Sequence, residues 1–235
     1  MAGTAAKPKA TRTGRQSRAA QVLDALRAAI RDGRYPPGAR MRETEVAATL
    51  GVSRTPVREA FRQLHADGLL TLEPWRGVVV AKLDQQQLVE LYAMRGVLEG
   101  AAAALAARHA APSQLSALKD VLDASAGETD AAHLADLNRQ FHQGIYAAAH
   151  NRYLLKALHA LGDSMALLPS TTYALLDRPA AALSEHRNLL AAIEAGDAAE
   201  AEATARHHIR EAERARLKVV LEWDRMGSEK TGGNP

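Results

Sequence analysis

The stretch GVSRTPVREAFRQLHADGLL, residues 51–70, limits what this chain can fold into more than any other. Gly51 and Gly68 break the pattern at its two ends. Ser53 stands where a helix cap is wanted, and Pro56 falls in a first turn, where amides have no intrahelical partner to lose. The stretch therefore predicts a helix capped by Ser53 and running to about Asp67. Arg54, Arg58 and Arg62 recur at four-residue steps and share one face of it.

The flanking sequence completes a small module. Val22, Leu23, Leu26 and Ile30 recur at helical spacing, which predicts a first helix over Ser17–Asp32, capped by Ser17 and ended by Gly33. YPPGAR then turns the chain into a second helix, Glu43–Leu50, with Val46, Ala47 and Leu50 facing inward. After the third helix, two short apolar runs flank Glu73–Gly77, which holds a proline and a glycine and reads as the turn of a β-hairpin. Helix, helix, turn, helix, hairpin is a winged helix-turn-helix.

From Asp84 onward the periodicity is helical throughout. Asp84 with Gln87, and Asp197 with Glu200, have the spacing of capping boxes. The expected segments are about 84–108, 113–126, 130–149, 151–168, 179–195 and 197–223, with breaks at Pro112, Gly127, Asn151, Pro169, Pro179 and Gly196. The expected organisation is a disordered basic arm over 1–15, the winged module over 16–83, an all-helical bundle over 84–223 and a disordered tail over 224–235. The fold class is mostly α, with a small β-hairpin wing.

Composition narrows the function classes. The chain is 47% hydrophobic but only 4% aromatic, so its core must be built largely from aliphatic side chains on packed helices. It has no cysteine, which excludes disulfides, thiolate metal sites and cysteine nucleophiles. The N-terminal MAGTAAKPKATRTGRQS lacks the apolar segment of a secretory signal, and the alanine-rich run over 100–107 stops at Arg108, too short to span a bilayer. A cytoplasmic protein with no membrane partner is expected. The net charge of +3 hides an asymmetry: residues 1–83 carry 15 Lys and Arg against 7 Asp and Glu, and residues 84–235 carry 15 against 20. A basic module joined to an acidic one points to a polyanionic partner for the first alone.

For the winged module that partner is double-stranded DNA. Arg54 and Thr55 occupy the first turn of the third helix, where free amides favour phosphate. Arg58, one turn deeper, is the candidate for a bidentate contact to guanine in the major groove. Arg62 lies farther along and is assigned to the phosphate backbone. Arg76 and Gly77 mark the wing tip, with the minor groove or a phosphate as their partner, and the adjacent Trp75 is assigned to packing. Arg40 and Arg42 precede the second helix, whose start should abut phosphate. The competing reading is a solvated cationic face with Glu59 and Asp67 as counter-charges.

At this point a family resemblance enters. PPGARMRETEVAATLGVSRTPVREAFRQLHADGLLTLEPWRGVVVA resembles the winged-helix domain of GntR-type bacterial transcription regulators, through RTPVREA and its distance from the wing glycine. LYAMRGVLEG, LNRQFHQGIYAAAHN and EHRNLLAAIEAGDAAEAEATARHHI resemble the FCD ligand-sensing domain of the FadR-like branch. The resemblance covers about residues 17–222. It implies a homodimer on a two-fold-symmetric operator, with the helical domain serving effector binding and dimerisation. It also implies a small organic acid effector, often held through a divalent metal.

The family's metal pattern falls on Asn138, His142, His186 and His208, and this chain carries Asn138 where the pattern has Asp. Asn138 and His142 lie one helical turn apart, and a neutral amide there makes for a weaker, more positive site. Three imidazoles suit Zn²⁺, Ni²⁺ or another first-row metal, and an open position would accept a ligand carboxylate. His207 is the neighbouring alternative to His208 but points about 100° away on a helix. The pattern places the ligand just before Ile209. Arg95, in YAMRGVLE, is placed by the resemblance near the ligand cavity, where it would clamp a carboxylate. Its alternative partner is Glu99 at i, i+4. Thr171, Thr172 and Tyr173 are further candidates for the cavity wall.

Two other function classes compete with a metabolite-responsive repressor. One is a metal-dependent enzyme built on the three histidines, but no H-E-x-x-H motif is present and no acid or base stands recognisably beside them. The other is a structural DNA binder indifferent to metabolites. No catalytic residue is assigned.

Overall fold

A computed structural model describes residues 17–168 and 171–231, with side chains through Leu221. The arm over 1–15 and the break at Pro169 lie outside the described residues. The chain divides into two units, one ending at Val80 and one beginning at Ala81, with residues 36–38 grouped with the second.

The first unit holds α1 (Arg18–Arg31), α2 (Glu43–Leu50), α3 (Arg54–Ala66), β1 (Leu70–Glu73) and β2 (Gly77–Val80). The Ser17 side chain accepts from the Ala20 amide and caps α1 as expected. Ser53 does occupy the cap position of α3, but its side chain takes no capping bond. Gly51 turns the chain between α2 and α3 at φ 63°, a left-handed conformation that side chains resist. Val22, Leu26, Ile30, Val46, Val57, Phe61 and Leu64 are buried together on the inner faces of the three helices. Leu50, expected to face inward, stays 36% exposed at the very end of α2.

The two strands pair antiparallel, from Leu70 opposite Val80 to Glu73 opposite Gly77. Arg40 adds a bridge to Val79, so the segment entering α2 lies along the wing. Trp75 departs from expectation. It does not pack: it sits at the hairpin tip with φ 65° and its side chain fully exposed.

The second unit holds α4 (Gln85–His109), α5 (Pro112–Ser125), α6 (Ala131–Ala148), α7 (Arg152–Met165), a 3₁₀ turn (Thr172–Ala174), α8 (Arg178–Glu194) and α9 (Ala198–Thr231). Asp84 and Gln87 close both bonds of a capping box at the start of α4. Asp197 accepts from the amides of Ala199 and Glu200, but Glu200 takes the Thr204 hydroxyl, so only half of the second box forms. Pro112 opens α5, where its missing amide hydrogen costs nothing. The backbone of α9 continues to Thr231, past the expected end at residue 223 and through Gly227. A lone glycine costs a helix only about 1 kcal/mol against alanine, too little to end it by itself.

Alanines make this bundle tight. Ala102, Ala103 and Ala106 of α4 meet Ala201 and Ala205 of α9 in a core completed by Phe141, Ile145, Leu189 and Ile193. At Gly100, a methyl group would come within 3.1 Å of the Arg206 side chain and 3.2 Å of that of Glu202, so α4 and α9 run close together there. That proximity is what allows side chains from four helices to converge on one point. Among the described residues, no helix is long and apolar enough to cross a membrane.

Leu64 is fully buried in the three-helix core of the first unit. Leu64→Ala should therefore destabilise that unit by about 2–5 kcal/mol, read as a lower urea midpoint of the full-length chain.

Candidate DNA-reading face and metal centre

The cationic stripe forms, but its counter-charge is neither Glu59 nor Asp67. Arg58 binds Glu43 with two nitrogens, Nε to Oε1 at 3.1 Å and a terminal nitrogen to Oε2 at 3.0 Å. Arg54 reaches the same carboxylate at 3.2 Å. Glu43 lies at the start of α2, eleven and fifteen residues before its partners, so only the turn between the helices brings them together. Hydrogen bonding to Arg58 holds the Glu43 carboxyl below its usual range, despite some opposing desolvation. Asp67 instead pairs with Arg27 of α1 and ties α1 to the end of α3. Thr55 and Arg62 are exposed on α3.

Arg42 pairs with Glu45 at 2.7 Å and Arg76 with Glu73 at 2.7 Å, both near the surface. Arg40, exposed, and Gly77, with φ 79°, belong to the wing sheet. Arg40, Arg42, Arg54, Thr55, Arg58, Arg62, Arg76 and Gly77 thus all fall in one unit, on α3, at the wing or in the segment leading into α2.

The second unit brings His142 of α6, His186 of α8 and His208 of α9 into a buried cluster in which one ligating nitrogen from each lies within 4.8 Å of the others. Nε2 of His208 is 3.2 Å from Nε2 of His142 and 3.3 Å from Nε2 of His186. Behind the rings stand two carboxylates: Glu185, which sequence reasoning missed, and Glu99, which it named only as a partner for Arg95. Glu185 Oε2 lies 2.6 Å from Nδ1 of His208, and Glu99 Oε2 lies 2.8 Å from Nδ1 of His142. Each carboxylate is backed by a buried arginine. Arg178 grips Glu185 with two nitrogens at 2.7 and 3.0 Å, and Arg95 binds Glu99 at 2.8 Å. Two parallel Arg–Glu–His chains therefore point at the same spot. The signals were local: Glu185 directly precedes His186, and Glu99 lies four residues after Arg95.

The electrostatics follow from this order. Burial opposes charge on Glu99, but Arg95 and then His142 outweigh it and hold the carboxyl well below its usual range. Burial, then the neighbouring imidazoles, push His186 and His208 well below the ordinary histidine range. Both rings are therefore neutral near pH 7, the form that ligates a metal. A carboxylate on Nδ1 selects the tautomer with the proton there, leaving Nε2 bare. His142 and His208 turn their Nε2 atoms toward each other at 3.2 Å, a spacing that suits two ligands of one cation. Nitrogens about 2.0–2.1 Å from one Zn²⁺ at tetrahedral angles lie roughly 3.3–3.4 Å apart, close to the spacing found.

Asn138, one turn before His142, accepts at Oδ1 from the Tyr173 hydroxyl at 3.0 Å. Burial pushes the Tyr173 hydroxyl up to about 12, so it remains the donor. Asn138, Tyr173 and His186 line one small cavity, and Glu99, His142, Tyr146 and His208 line another. Arg95 has taken the partner that its helical spacing offered, Glu99, and its guanidinium also lies over the Tyr92 ring. Thr172 is buried in the 3₁₀ turn beside Tyr173.

Residues 18–80 match the gntR family of bacterial regulatory proteins, and residues 90–211 match the FCD domain. A probable D-xylose utilization operon transcriptional repressor from Paenarthrobacter nicotinovorans is 39% identical over 204 residues, which cover 84% of this chain and 88% of that protein. The chain belongs to the GntR family of transcriptional regulators. The HTH-type regulator McbR of Escherichia coli is 31% identical over 184 residues, 75% of this regulator and 82% of McbR. The solved structure of E. coli McbR/YncC aligns with a TM-score of 0.73 at 27% identity, covering 89% of this chain and 99% of that one. A putative GntR regulator from Rhodococcus sp. RHA1 aligns with a TM-score of 0.70 at 26% identity, covering 86% and 99%. These relatives are regulators, and this GntR regulator is a DNA-binding protein rather than an enzyme. The carboxylates beside the histidines are accordingly read as orienting groups.

The depressed histidines also predict a pH dependence. In metal-free protein, His186 and His208 stay neutral when folded but take up protons near pH 6.5 when unfolded. The unfolded chain then binds more protons, so stability falls as pH drops below about 6.5, by up to about 2.7 kcal/mol per pH unit for two such groups. Urea unfolding of chelator-treated protein at pH 7.5 and 5.5 should show this loss, and His186→Gln should reduce it.

Proposed function

We propose that this regulator is a repressor, a homodimer that leaves a two-fold-symmetric operator when a small organic acid binds at a divalent metal in its helical unit. The observation that carries the reading is the buried cluster of His142, His186 and His208, with Nε2 of His208 3.2 Å from that of His142 and 3.3 Å from that of His186. His142, His186 and His208 would hold the ion, with Zn²⁺ or Ni²⁺ suited to three imidazoles. Bound there, the metal supplies a cationic site for a carboxylate. Asn138 is the weak fourth candidate, since its oxygen already accepts from Tyr173. Arg95 would add a second contact to the acid through nitrogens other than the Nε given to Glu99.

On the DNA side, Arg58 is proposed to read a guanine and Arg54, Thr55 and Arg62 to take phosphates. Arg40, Arg42, Arg76 and Gly77 would extend the contact toward the wing. Glu43 holds the Arg58 fork in shape when DNA is absent, and DNA acceptors compete with it. Dimerisation finds support in α4, where the large apolar side chains of Val89, Met94 and Val97 are 43–47% exposed. Repression is favoured by the likeness to the probable D-xylose utilization operon repressor of P. nicotinovorans. An acid bound more tightly in the arrangement that does not fit DNA would release the operator, and linkage requires DNA to weaken acid binding by the same factor.

Three substitutions separate the parts. Arg58→Ala should cost about 1–3 kcal/mol in specific binding and relax base choice at one position per half-site, whereas Arg62→Ala should weaken all sequences evenly and lower the salt slope. An unchanged ratio of specific to random affinity in Arg58→Ala removes Arg58 as a base reader. His186→Ala should empty the metal site, measured by elemental analysis after reconstitution, while operator affinity stays near wild type. A variant that keeps stoichiometric metal contradicts the ligand set.

A further inference from the structure

Trp75 is placed where neither folding nor packing accounts for it. Its backbone sits at φ 65°, a region that suits glycine or asparagine and that a bulky side chain enters only at a cost. Its side chain is fully exposed, so the indole repays none of that cost by burial. The tip is nevertheless built: the Arg76 amide donates to the Pro74 carbonyl at 2.8 Å, and the next residue, Gly77, pairs with Glu73 in the hairpin register. A large aromatic held on a strained, stiff turn with its whole surface in water has its partner outside the monomer.

The surroundings say which partner. Trp75 lies between Pro74 and Arg76, on a hairpin edged by Arg40 through its bridge to Val79. It belongs to the basic N-terminal part of the chain, with 15 Lys and Arg against 7 Asp and Glu over residues 1–83. We infer that Trp75 is a non-ionic DNA contact, its indole laid into the minor groove beside the half-site read by α3. Flat aromatic surface gains contact with sugars and base edges there, and apolar side chains enter minor grooves in other architectures. Arg76 supplies the charge at the tip, and Trp75 supplies apolar contact that salt does not screen. This inference rests on the proposed use of α3 and the wing as the DNA-reading face, and Arg58→Ala serves as the control for that reading.

The decisive variant is Trp75→Gly, measured in the full-length protein on a selected operator. Glycine suits the local φ, so the melting temperature should stay at or above wild type. Operator affinity should nevertheless fall about tenfold or more, as loss of an aromatic–nucleic acid contact does. The slope of log affinity against log salt should be unchanged, whereas Arg76→Ala should reduce it by about 1 for each phosphate lost. A second readout uses fluorescence. The chain has two tryptophans, so Trp223→Phe leaves Trp75 alone, and operator DNA should shield its emission from acrylamide. Wild-type affinity in Trp75→Gly, with Arg58→Ala impaired, overturns the role of Trp75 and leaves the DNA-reading face standing. Full affinity in both variants overturns that face as well. A lowered melting temperature in Trp75→Gly, or shielding of the indole without DNA as protein concentration rises, assigns Trp75 to packing or to a second copy and overturns the inference.

Discussion

The helical unit is organised around two imidazole nitrogens that face each other in a buried interior, Nε2 of His142 and Nε2 of His208 at 3.2 Å. Buried polar atoms must be paired, and buried charges must be both paired and hydrogen-bonded. The chain meets this demand from outside inward. Arg178 fixes Glu185, Glu185 fixes the ring of His208, and His208 presents its far nitrogen to the centre. Arg95, Glu99 and His142 repeat the order from α4. The result ties α4, α6, α8 and α9 to one point. Phe141, fully buried, lies 4.5 Å from the His186 ring and seals the cluster into the apolar core.

A similar logic operates in the first unit with the opposite consequence. Arg54 and Arg58 are not buried, and their shared partner Glu43 is itself only partly shielded. Such a pair contributes little stability in water. It does keep a planar guanidinium from wandering, which lowers the entropy lost when a base or phosphate replaces the carboxylate. The clusters of the helical unit are buried, whereas the two arginines of the Glu43 clamp are half-exposed.

Much of this was legible in the sequence, for identifiable reasons. Helix starts carried by Ser17 and Asp84 were visible because capping is local chemistry, decided within four residues, and Pro112, expected as a break, proved to be the first residue of α5. The three histidines were legible through the family pattern, and the structure brings them together. Glu43 was not found as the partner of Arg58, because fifteen residues and a Gly51 turn separate them. Glu185 was passed over because residues adjacent on one helix do not face each other. It reaches His208 on α9 rather than its neighbour His186. Trp75 was misread for a general reason: tryptophan is usually buried, and only the backbone at the tip reveals that this one has nothing to pack against. Ser53 sits where a cap belongs yet makes no capping bond, since position specifies a residue type without specifying its rotamer.

The central claim is that the three imidazoles form a metal site already assembled before the ion arrives, with His186 and His208 held neutral. Calorimetric titration of chelator-treated protein with Zn²⁺ or Ni²⁺ at pH 7, repeated in buffers of different ionisation enthalpy, tests it most directly. One ion per chain should bind with almost no proton release, because His186 and His208 are held in the neutral form by burial and by their neighbours. No stoichiometric binding would contradict the claim outright. Binding that releases about one proton for each histidine ligand would contradict the preformed, neutral cluster.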